Sequence, residues 1–308
     1  MNTIRFFYRR FSWVTVFIGC MGCMGQPYSE NWIDINYAGD TMEYHNLDIY
    51  LPQGTNAPFP AVVLVYGSAW FSNNLKSEAF KVFGKTLLDA GFAVVPVNHR
   101  SSSDALFPAQ IHDIKAAIRF LRANGYKYQL DTSFIGITGY SSGGHLSSLA
   151  GTTGSVRQFI MRGDTTDIEG NIGEYPAYRS SVDAVADWFG PVDFLKMDSC
   201  GSDMFHNDPG SPESCLIGGP IQDNRTKCAL ANPVTYIDST DPTFLIFHGD
   251  ADPLVPHCQS EMLFNALKQN RVTCQFILVT EAGHGPGLFE DMYFQIMTDF
   301  FTRESTKP

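Results

Sequence analysis

Basic residues are scarce in this sequence. Its 308 residues include 21 lysines and arginines against 32 aspartates and glutamates, which gives a net charge of −11 at pH 7. Binding to nucleic acid or to an anionic membrane through the protein surface needs an excess of positive charge, so this balance argues against both partners. The hydrophobic fraction of 44% and the charged fraction of 17% are typical of a globular protein with one large α/β domain.

A long apolar run is also lacking. The most hydrophobic stretch near the amino terminus, residues 11–20, is too short to span a bilayer comfortably. It follows Arg5, Arg9 and Arg10, and a basic region followed by an apolar one is typical of a secretory signal. We therefore expect export, with an uncleaved membrane anchor as the alternative.

Two kinds of signal cleavage are compatible with the residues that follow. Small residues before Gln26 predict ordinary cleavage, which makes residues 1–25 a signal peptide and residues 26–308 the catalytic domain. Cys20 or Cys23 could instead be the lipidated cysteine of a lipoprotein. Contact with a membrane is expected only through such an anchor, and the expected location is the periplasm, the outer membrane or the exterior.

Cysteine pairs with the spacing of metal ligands are absent from the sequence. Five cysteines follow residue 25, none of them in a C-x-x-C pair, so no metal site is predicted. Export permits disulfides, but an odd number leaves at least one thiol free. We expect a bond between Cys215 and Cys228, whereas Cys258 and Cys274 should lie at opposite ends of the sheet.

Strand patterns alternate with helix patterns along most of the chain. Two short alternating strands near the start predict an antiparallel hairpin, and the later apolar strands predict a mostly parallel sheet with helices on both faces. The fold class is therefore α/β. Strands are predicted at 32–37, 47–51, 60–66, 92–97, 134–138, 184–189, 243–248 and 274–279, and helices at 75–90, 107–124, 259–268 and 289–301.

Two segments interrupt this alternation. Residues 152–181 and 195–232 are polar, rich in glycine and proline, and only weakly periodic. Loops of this length in a compact domain usually serve function, so both are candidates for the walls of a substrate cleft. Surface insertions without a function are the alternative for each segment.

A Gly-x-Ser-x-Gly pentapeptide lies between a predicted strand and a predicted helix. In this context a sharp turn presents the serine, and Gly139 and Gly143 leave the space that such a turn needs. Ser141 is then the candidate nucleophile. The alternative, an ordinary glycine-rich turn, depends on whether an acid and a histidine follow at suitable positions.

An acid and a histidine do follow two later strands. Asp252 is the preferred acid because it lies in the turn proper before Pro253, and Asp250 is the second choice. His284 is flanked by glycines in the loop after the next strand. The order Ser141, Asp252, His284 is that of a catalytic triad at the carboxyl edge of a parallel sheet.

The sequence resembles the α/β-hydrolase esterases, specifically the bacterial carbohydrate esterases that include feruloyl and acetylxylan esterases. The resemblance covers nearly all of residues 32–302 and implies the α/β-hydrolase fold, with Asp252 as the acid. It rests on the segments Tyr66-Gly-Ser-Ala-Trp70, Phe107-Pro-Ala-Gln-Ile-His-Asp113, Gly139–His145, Trp188-Phe-Gly-Pro-Val-Asp193, Ser211-Pro-Glu-Ser214, His248–Pro256 and Gly283-His284-Gly285.

Two backbone regions are candidates for the oxyanion hole. Ser142 lies in the first turn of the helix after the nucleophile, where N–H groups have no helical partner. The other donor is expected in the loop after the strand at 60–66, and Ser68 and Ala69 lie in that loop. Many relatives carry His-Gly-Gly-Gly-Trp here, so Tyr66 and the missing glycines set this loop apart.

Other polar or aromatic residues in the motifs are expected to be structural. His145 should pack in the elbow helix, and His248 should hold the backbone beside the acid. Asp113, in an amphipathic helix, should be solvated or salt-bridged. Trp70 is expected to pack within its loop rather than to form a substrate platform.

These observations predict a serine carboxylester hydrolase that acts on a small-molecule or polysaccharide ester. The resemblance implies acetyl or feruloyl esters of plant polysaccharide and no metal or organic cofactor. One alternative is a peptidase of the prolyl-oligopeptidase type, although 308 residues leave no room for the large β-rich domain such enzymes usually carry. Another is a catalytically silent binding protein on the same fold. A lipase with an apolar lid is disfavoured because both irregular segments are polar.

Overall fold

The computed structural model describes residues 28–54 and 56–307. The predicted signal peptide and its cysteines lie outside the described residues. An eight-stranded sheet has the strand order β1-β2-β4-β3-β5-β8-β9-β10, and β6 and β7 form a separate hairpin. The strands are β1 Glu30–Asn36, β2 Asn46–Leu51, β3 Phe59–Val65, β4 Ala93–Val97, β5 Leu130–Tyr140, β6 Gln158–Met161, β7 Asp164–Asp167, β8 Ala184–Trp188, β9 Thr243–Gly249 and β10 Cys274–Val279.

The predicted antiparallel hairpin is confirmed. β1 pairs with β2, and β2 pairs antiparallel with β4. All further pairs in the sheet, from β4 through β3, β5, β8 and β9 to β10, are parallel. The carboxyl ends of β5, β9 and β10 therefore open onto one edge, which is where the candidate triad residues follow.

Helices cover both faces of the sheet, as predicted. They are α1 Lys76–Ala79, α2 Lys85–Asp89, α3 Ala109–Asn124, α4 Ser142–Thr152, α5 Pro212–Ile217, α6 Arg225–Ala231, α7 Cys258–Gln269 and α8 Asp291–Ser305. A short π-helical stretch, Phe80–Gly84, joins α1 to α2. Alternate residues of β3 separate the two cores: Val63 and Val65 pack with helices α3, α4 and α7, while Val62 and Leu64 pack with α1, α2 and α8.

The predicted disulfide is wrong. Cys215 and Cys228 are free thiols, and the bond instead joins Cys200 to Cys258 at the start of α7. Cys274 is free as well, so the expectation that it does not pair with Cys258 holds. Among residues 28–54 and 56–307, no helix has both the length and the apolar character needed to span a bilayer.

Candidate active site

Ser141 lies on a sharp turn between β5 and α4. Its backbone has φ 55° and ψ −125°, a conformation that L-residues rarely adopt. The two flanking glycines are required by space: a Cβ on Gly143 would lie 2.2 Å from the carbonyl oxygen of Val65, and one on Gly139 would lie 2.5 Å from that of Gly143. The close contact of the turn with β3 thus selects glycine at both positions and leaves the serine at the sheet edge.

The structure brings the three candidate triad side chains together. Ser141 Oγ lies 2.9 Å from His284 Nε2, and His284 Nδ1 lies 2.7 Å from Asp252 Oδ2. The residues are up to 143 positions apart along the chain. A neutral imidazole with its proton on Nδ1 donates to the carboxylate and accepts from the serine hydroxyl, as proton transfer from the serine requires.

The surrounding backbone holds Asp252 as a carboxylate. Its Oδ1 accepts from the N–H groups of Leu254 and Val255 at 2.9 and 3.0 Å. Burial alone would raise the pKa of Asp252, but hydrogen bonds from His248 and His284 outweigh it and hold the pKa well below the usual range. The carboxylate is therefore charged at any pH at which His284 needs a counter-ion.

His248 holds the backbone beside the acid, as predicted. Its Nε2 lies 2.7 Å from the carbonyl oxygen of Val255 and its Nδ1 lies 2.7 Å from Ser260 Oγ. Asp250, the second choice for the acid, is exposed and accepts from the backbone N–H of Glu281 at 2.6 Å. It does not contact His284 in this structure.

The three candidate oxyanion donors differ in what they already bind. Ser142 is the first residue of α4, and its N–H has no partner within the helix. The N–H of Ser68 donates to Ser142 Oγ at 2.8 Å, so it is occupied. The N–H of Ala69 makes no hydrogen bond to any described residue, and Ala69 has a positive φ of 52°. The geometry favours Ser142 and Ala69 over Ser68.

Tyr66 replaces the usual histidine at the base of this loop without leaving a gap. Its ring stacks on His99 at a centroid distance of 4.7 Å, and its hydroxyl donates to the carbonyl oxygen of Ser72 at 3.0 Å. Trp70 is buried and contacts His145 edge to face, so it has the expected packing role, although this contact lies outside its own loop. His145 is also buried, with Nε2 2.7 Å from the carbonyl oxygen of Ala231. It is a packing residue, as expected.

A cavity of about 320 Å³ opens beside Ser141, with mostly apolar walls. Residues 195–232 supply part of the wall, which confirms their predicted place at a cleft, while residues 152–181 supply none of it. Sequence reasoning did not identify His206 and Glu213 as cavity residues, although the Ser211–Ser214 motif pointed to their neighbourhood. The cavity is lined by Ala69, Trp70, Phe71, Ser141, Ser142, Pro191, Met204, His206, Pro212, Glu213, Leu254, Val255 and His284.

The first irregular segment is instead fixed to helix α3. Glu169 lies between the buried cations Lys115 and Arg119 of α3, with a distance of 3.0 Å from its Oε2 to Lys115 Nζ. This segment is therefore anchored to α3, and the prediction that it forms a wall of this cavity is wrong. Within the described residues, no cluster of three histidine, cysteine or acidic side chains is arranged to hold a metal ion.

The mostly parallel sheet, the serine on its turn and the histidine and aspartate on following loops define an α/β-hydrolase. Residues 47–267 match the family BD-FAE. Since this match covers well over half of the chain, the protein belongs to that family.

Similar proteins carry esterase names. A truncated form of a carbohydrate esterase from gut microbiota is 50% identical, with a TM-score of 0.88 over 91% of this chain and 98% of that one. The bifunctional GH43-CE protein of Bacteroides eggerthii is 55% identical, with a TM-score of 0.84 over 89% of this chain and 38% of that one. Esterase LipQ of Mycobacterium tuberculosis is 29% identical over 78% of this chain and 53% of its own length. The chain spans about half the length of the curated relatives it matches.

Proposed function

We propose that this protein is a serine carboxylester hydrolase. The observation that carries the proposal is the hydrogen-bonded series Asp252–His284–Ser141 at the wall of a cavity, with distances of 2.7 and 2.9 Å. Membership of the BD-FAE family and the esterase names of its relatives support the same activity. A binding protein on this fold would have no use for the series.

Each candidate residue has a defined part in the proposed reaction. His284 accepts the proton of Ser141 as its Oγ attacks the ester carbonyl, and Asp252 stabilises the imidazolium that forms. The N–H groups of Ser142 and Ala69 stabilise the oxyanion. The alcohol leaves with the proton held by His284, and water activated by the same imidazole then releases the acid from the acyl-enzyme.

We propose acetyl or feruloyl esters of plant polysaccharide, or related small esters, as the substrates. Support comes from the similar solved structure that is described as a carbohydrate esterase from gut microbiota. The mostly apolar cavity of about 320 Å³ has room for an aromatic acyl group as well as for acetate.

Replacing Ser141 tests the proposal directly. Ser141→Ala should reduce hydrolysis of 4-nitrophenyl acetate by at least about 10³-fold and abolish labelling by a fluorophosphonate probe. Ser147→Ala is the matched control, because Ser147 lies on the same helix but its hydroxyl donates to the carbonyl oxygen of Gly143. Retained activity in Ser141→Ala, or an unlabelled wild-type protein without esterase activity, would refute the assignment.

We also propose that the chain is exported and that the mature catalytic domain begins near residue 26. The basic and apolar residues of the amino terminus support export. The bond between Cys200 and Cys258 supports it as well, since stable disulfides form in oxidising compartments. The mass of the mature amino terminus decides between cleavage before Gln26 and a lipidated cysteine.

A further inference from the structure

A carboxyl group with one unsatisfied oxygen lies at the wall of the cavity. Glu213 is 4% exposed, and its Oε2 is buried without a hydrogen bond to any described residue. Its Oε1 lies 3.9 Å from His206 Nε2, beyond hydrogen-bonding distance. A buried acceptor without a donor lowers the stability of the fold. Its position at a binding cavity therefore indicates a ligand that donates a hydrogen bond.

The local structure holds Glu213 in this position. Glu213 follows Pro212 in α5, and Ser211 caps that helix by accepting from the N–H of Ser214. The hydroxyls of Ser211 and Ser214 both donate to the carbonyl oxygen of His206, at 2.5 and 3.2 Å. His206 in turn bonds to Asp198, with Nδ1 2.8 Å from Oδ1.

This support leaves Oε2 of Glu213 without a hydrogen bond to any described residue. Burial raises the pKa of Glu213, while His206 opposes the shift. The last torsion of a glutamate side chain is soft, so rotation about it can change which oxygen faces the cavity. Its one ion-pair contact within the described part of the chain, to His206 at 3.9 Å, involves Oε1, so Oε2 can accept a hydrogen bond from a ligand.

Glu213 also differs in character from the rest of the cavity wall. It is the one carboxylic side chain among the lining residues, which are otherwise mostly apolar. Phe71, Met204 and Leu254 are partly exposed at the same wall and offer a surface for a sugar ring or an aromatic ring. A few polar groups in a mostly apolar pocket fix the orientation of a ligand, and Glu213 is the one carboxylic group among them.

We propose that Glu213 is a specificity-determining residue that accepts a hydrogen bond from a hydroxyl group of the ester substrate. This inference rests on the proposed esterase function and narrows its substrates to hydroxyl-bearing esters. The hydroxyl belongs either to an aromatic acyl group or to a sugar in the alcohol part, and both present the same donor to the carboxyl group.

Paired esters test the inference and separate these two sources. Wild type, Glu213→Ala and Glu213→Gln are assayed for kcat/KM on methyl 4-hydroxycinnamate against methyl cinnamate, and on an acetylated methyl xyloside against cyclohexyl acetate. Glu213→Ala should lose roughly 10- to 100-fold on the hydroxyl-bearing ester of one pair and less than about threefold on its partner. Glu213→Gln, which keeps an acceptor oxygen and the volume, should lose less. The pair that responds identifies the source of the hydroxyl.

Several outcomes would overturn the inference. Equal losses on both members of each pair would make Glu213 a structural residue, and no loss on any ester would leave it without a part in binding. Wild type that cleaves only the hydroxyl-free esters would exclude this substrate class. Glu261→Ala, in an exposed part of α7, is the control and should change neither pair. Wild type inactive on every ester and unlabelled by a fluorophosphonate would instead remove the proposed function itself.

Discussion

Asp250 and Asp252 are neighbouring carboxylates in one turn, and their different hydrogen-bond partners give them different roles. The sequence favoured Asp252 because it lies in the turn proper, and the structure adds the reason. Two backbone N–H groups and two histidines surround Asp252, whereas Asp250 is exposed and bonds to the backbone of Glu281. Residue type and order predicted the triad and favoured Asp252, and the folded geometry supplies the contacts that give the two acids different roles.

Substitution of the two acids distinguishes their roles. Asp252→Asn should lower kcat for a short aryl ester by about 10³- to 10⁴-fold, because an amide no longer fixes the imidazole tautomer or stabilises its cation. Asp250→Asn should remain within about threefold of wild type. Steady-state kinetics on both variants measures this. A large loss in Asp250→Asn with an active Asp252→Asn would reverse the assignment.

The oxyanion loop shows the limit of prediction at single residues. Ser68 was a candidate donor because of its position after β3, but its N–H is taken up by the side chain of Ser142. That contact joins residues 74 positions apart, and no local sequence pattern predicts it. Backbone donors have no sequence signature of their own, so their availability has to be read from the fold.

Among the elements, residues 195–232 depart most from a simple description as a loop. The segment contains α5 and α6, which its weak periodicity did not reveal. Short helices bury too few residues to leave a clear period in the sequence. The segment nevertheless lines the cavity, and the bond from Cys200 to Cys258 ties it to α7.

The wrong disulfide prediction has a physical reason. Cys215 and Cys228 share a segment, but Cys215 belongs to α5 and Cys228 is buried within α6, so nearness in sequence did not bring their sulfurs together. The pairing of an odd set of cysteines depends on tertiary geometry. The bond to Cys258 spans 58 residues and encloses the wall of the cavity.

Removal of this disulfide should affect stability and substrate binding more than chemistry. A Cys200→Ser/Cys258→Ser variant should lose about 2–4 kcal/mol of unfolding free energy, because the bond restricts the unfolded chain. KM should rise several-fold with a smaller change in kcat, since the wall at Met204 and His206 loses its attachment to α7. Denaturant unfolding and steady-state kinetics measure both quantities.

Cys274→Ser is the control for the disulfide variant. Cys274 is a partly buried free thiol in β10, so its substitution should cost less than about 1 kcal/mol and leave KM unchanged. If the double variant matched this control in both measurements, the bond would have no part in shaping the cavity.

At the scale of the whole molecule, the alternation of strands and helices predicted the architecture well. The parallel order and the sheet edge at which the triad meets follow from that alternation. The alternation of strands and helices did not predict which charged residues are buried. Asp113 on α3 was expected to be solvated or salt-bridged, and the salt bridge is confirmed because Asp113 bonds to both Arg100 and His45. Its complete burial was not predicted.

This buried group links three parts of the fold. His45 precedes β2, Arg100 follows β4, and Asp113 lies on α3, so the ion pairs join the antiparallel end of the sheet to a helix on one face. Burial alone would raise the pKa of Asp113, but His45 and Arg100 lower it overall. Burial would likewise lower the pKa of His45, but Asp113 and Asp40 raise it.

These shifts predict how stability depends on pH. The contribution of Asp113 is present above its unfolded pKa of about 3.9 and is lost as the pH falls toward its lower folded pKa. The contribution of His45 is complete below its unfolded pKa of about 6.5 and is lost as the pH rises through its higher folded pKa. Both contributions are present together between about pH 5 and pH 6. Asp113→Asn should therefore lower the unfolding free energy most in this pH range, by about 3 kcal/mol, because it leaves Arg100 and His45 without their buried counter-ion.

Chemical denaturation at pH 3.5, 5.5 and 8 compares the variant with wild type across this range. The difference in unfolding free energy should be largest at pH 5.5 and smaller on either side, since the wild type loses one contribution in each direction. Asp89→Asn, which removes an exposed partner of Lys85, should differ from wild type by less than about 0.5 kcal/mol at every pH. If Asp113→Asn lowered the unfolding free energy by the same amount at all three pH values, the loss would come from packing and not from charge. The charges that join the sheet to α3 would then contribute nothing to the pH dependence of stability.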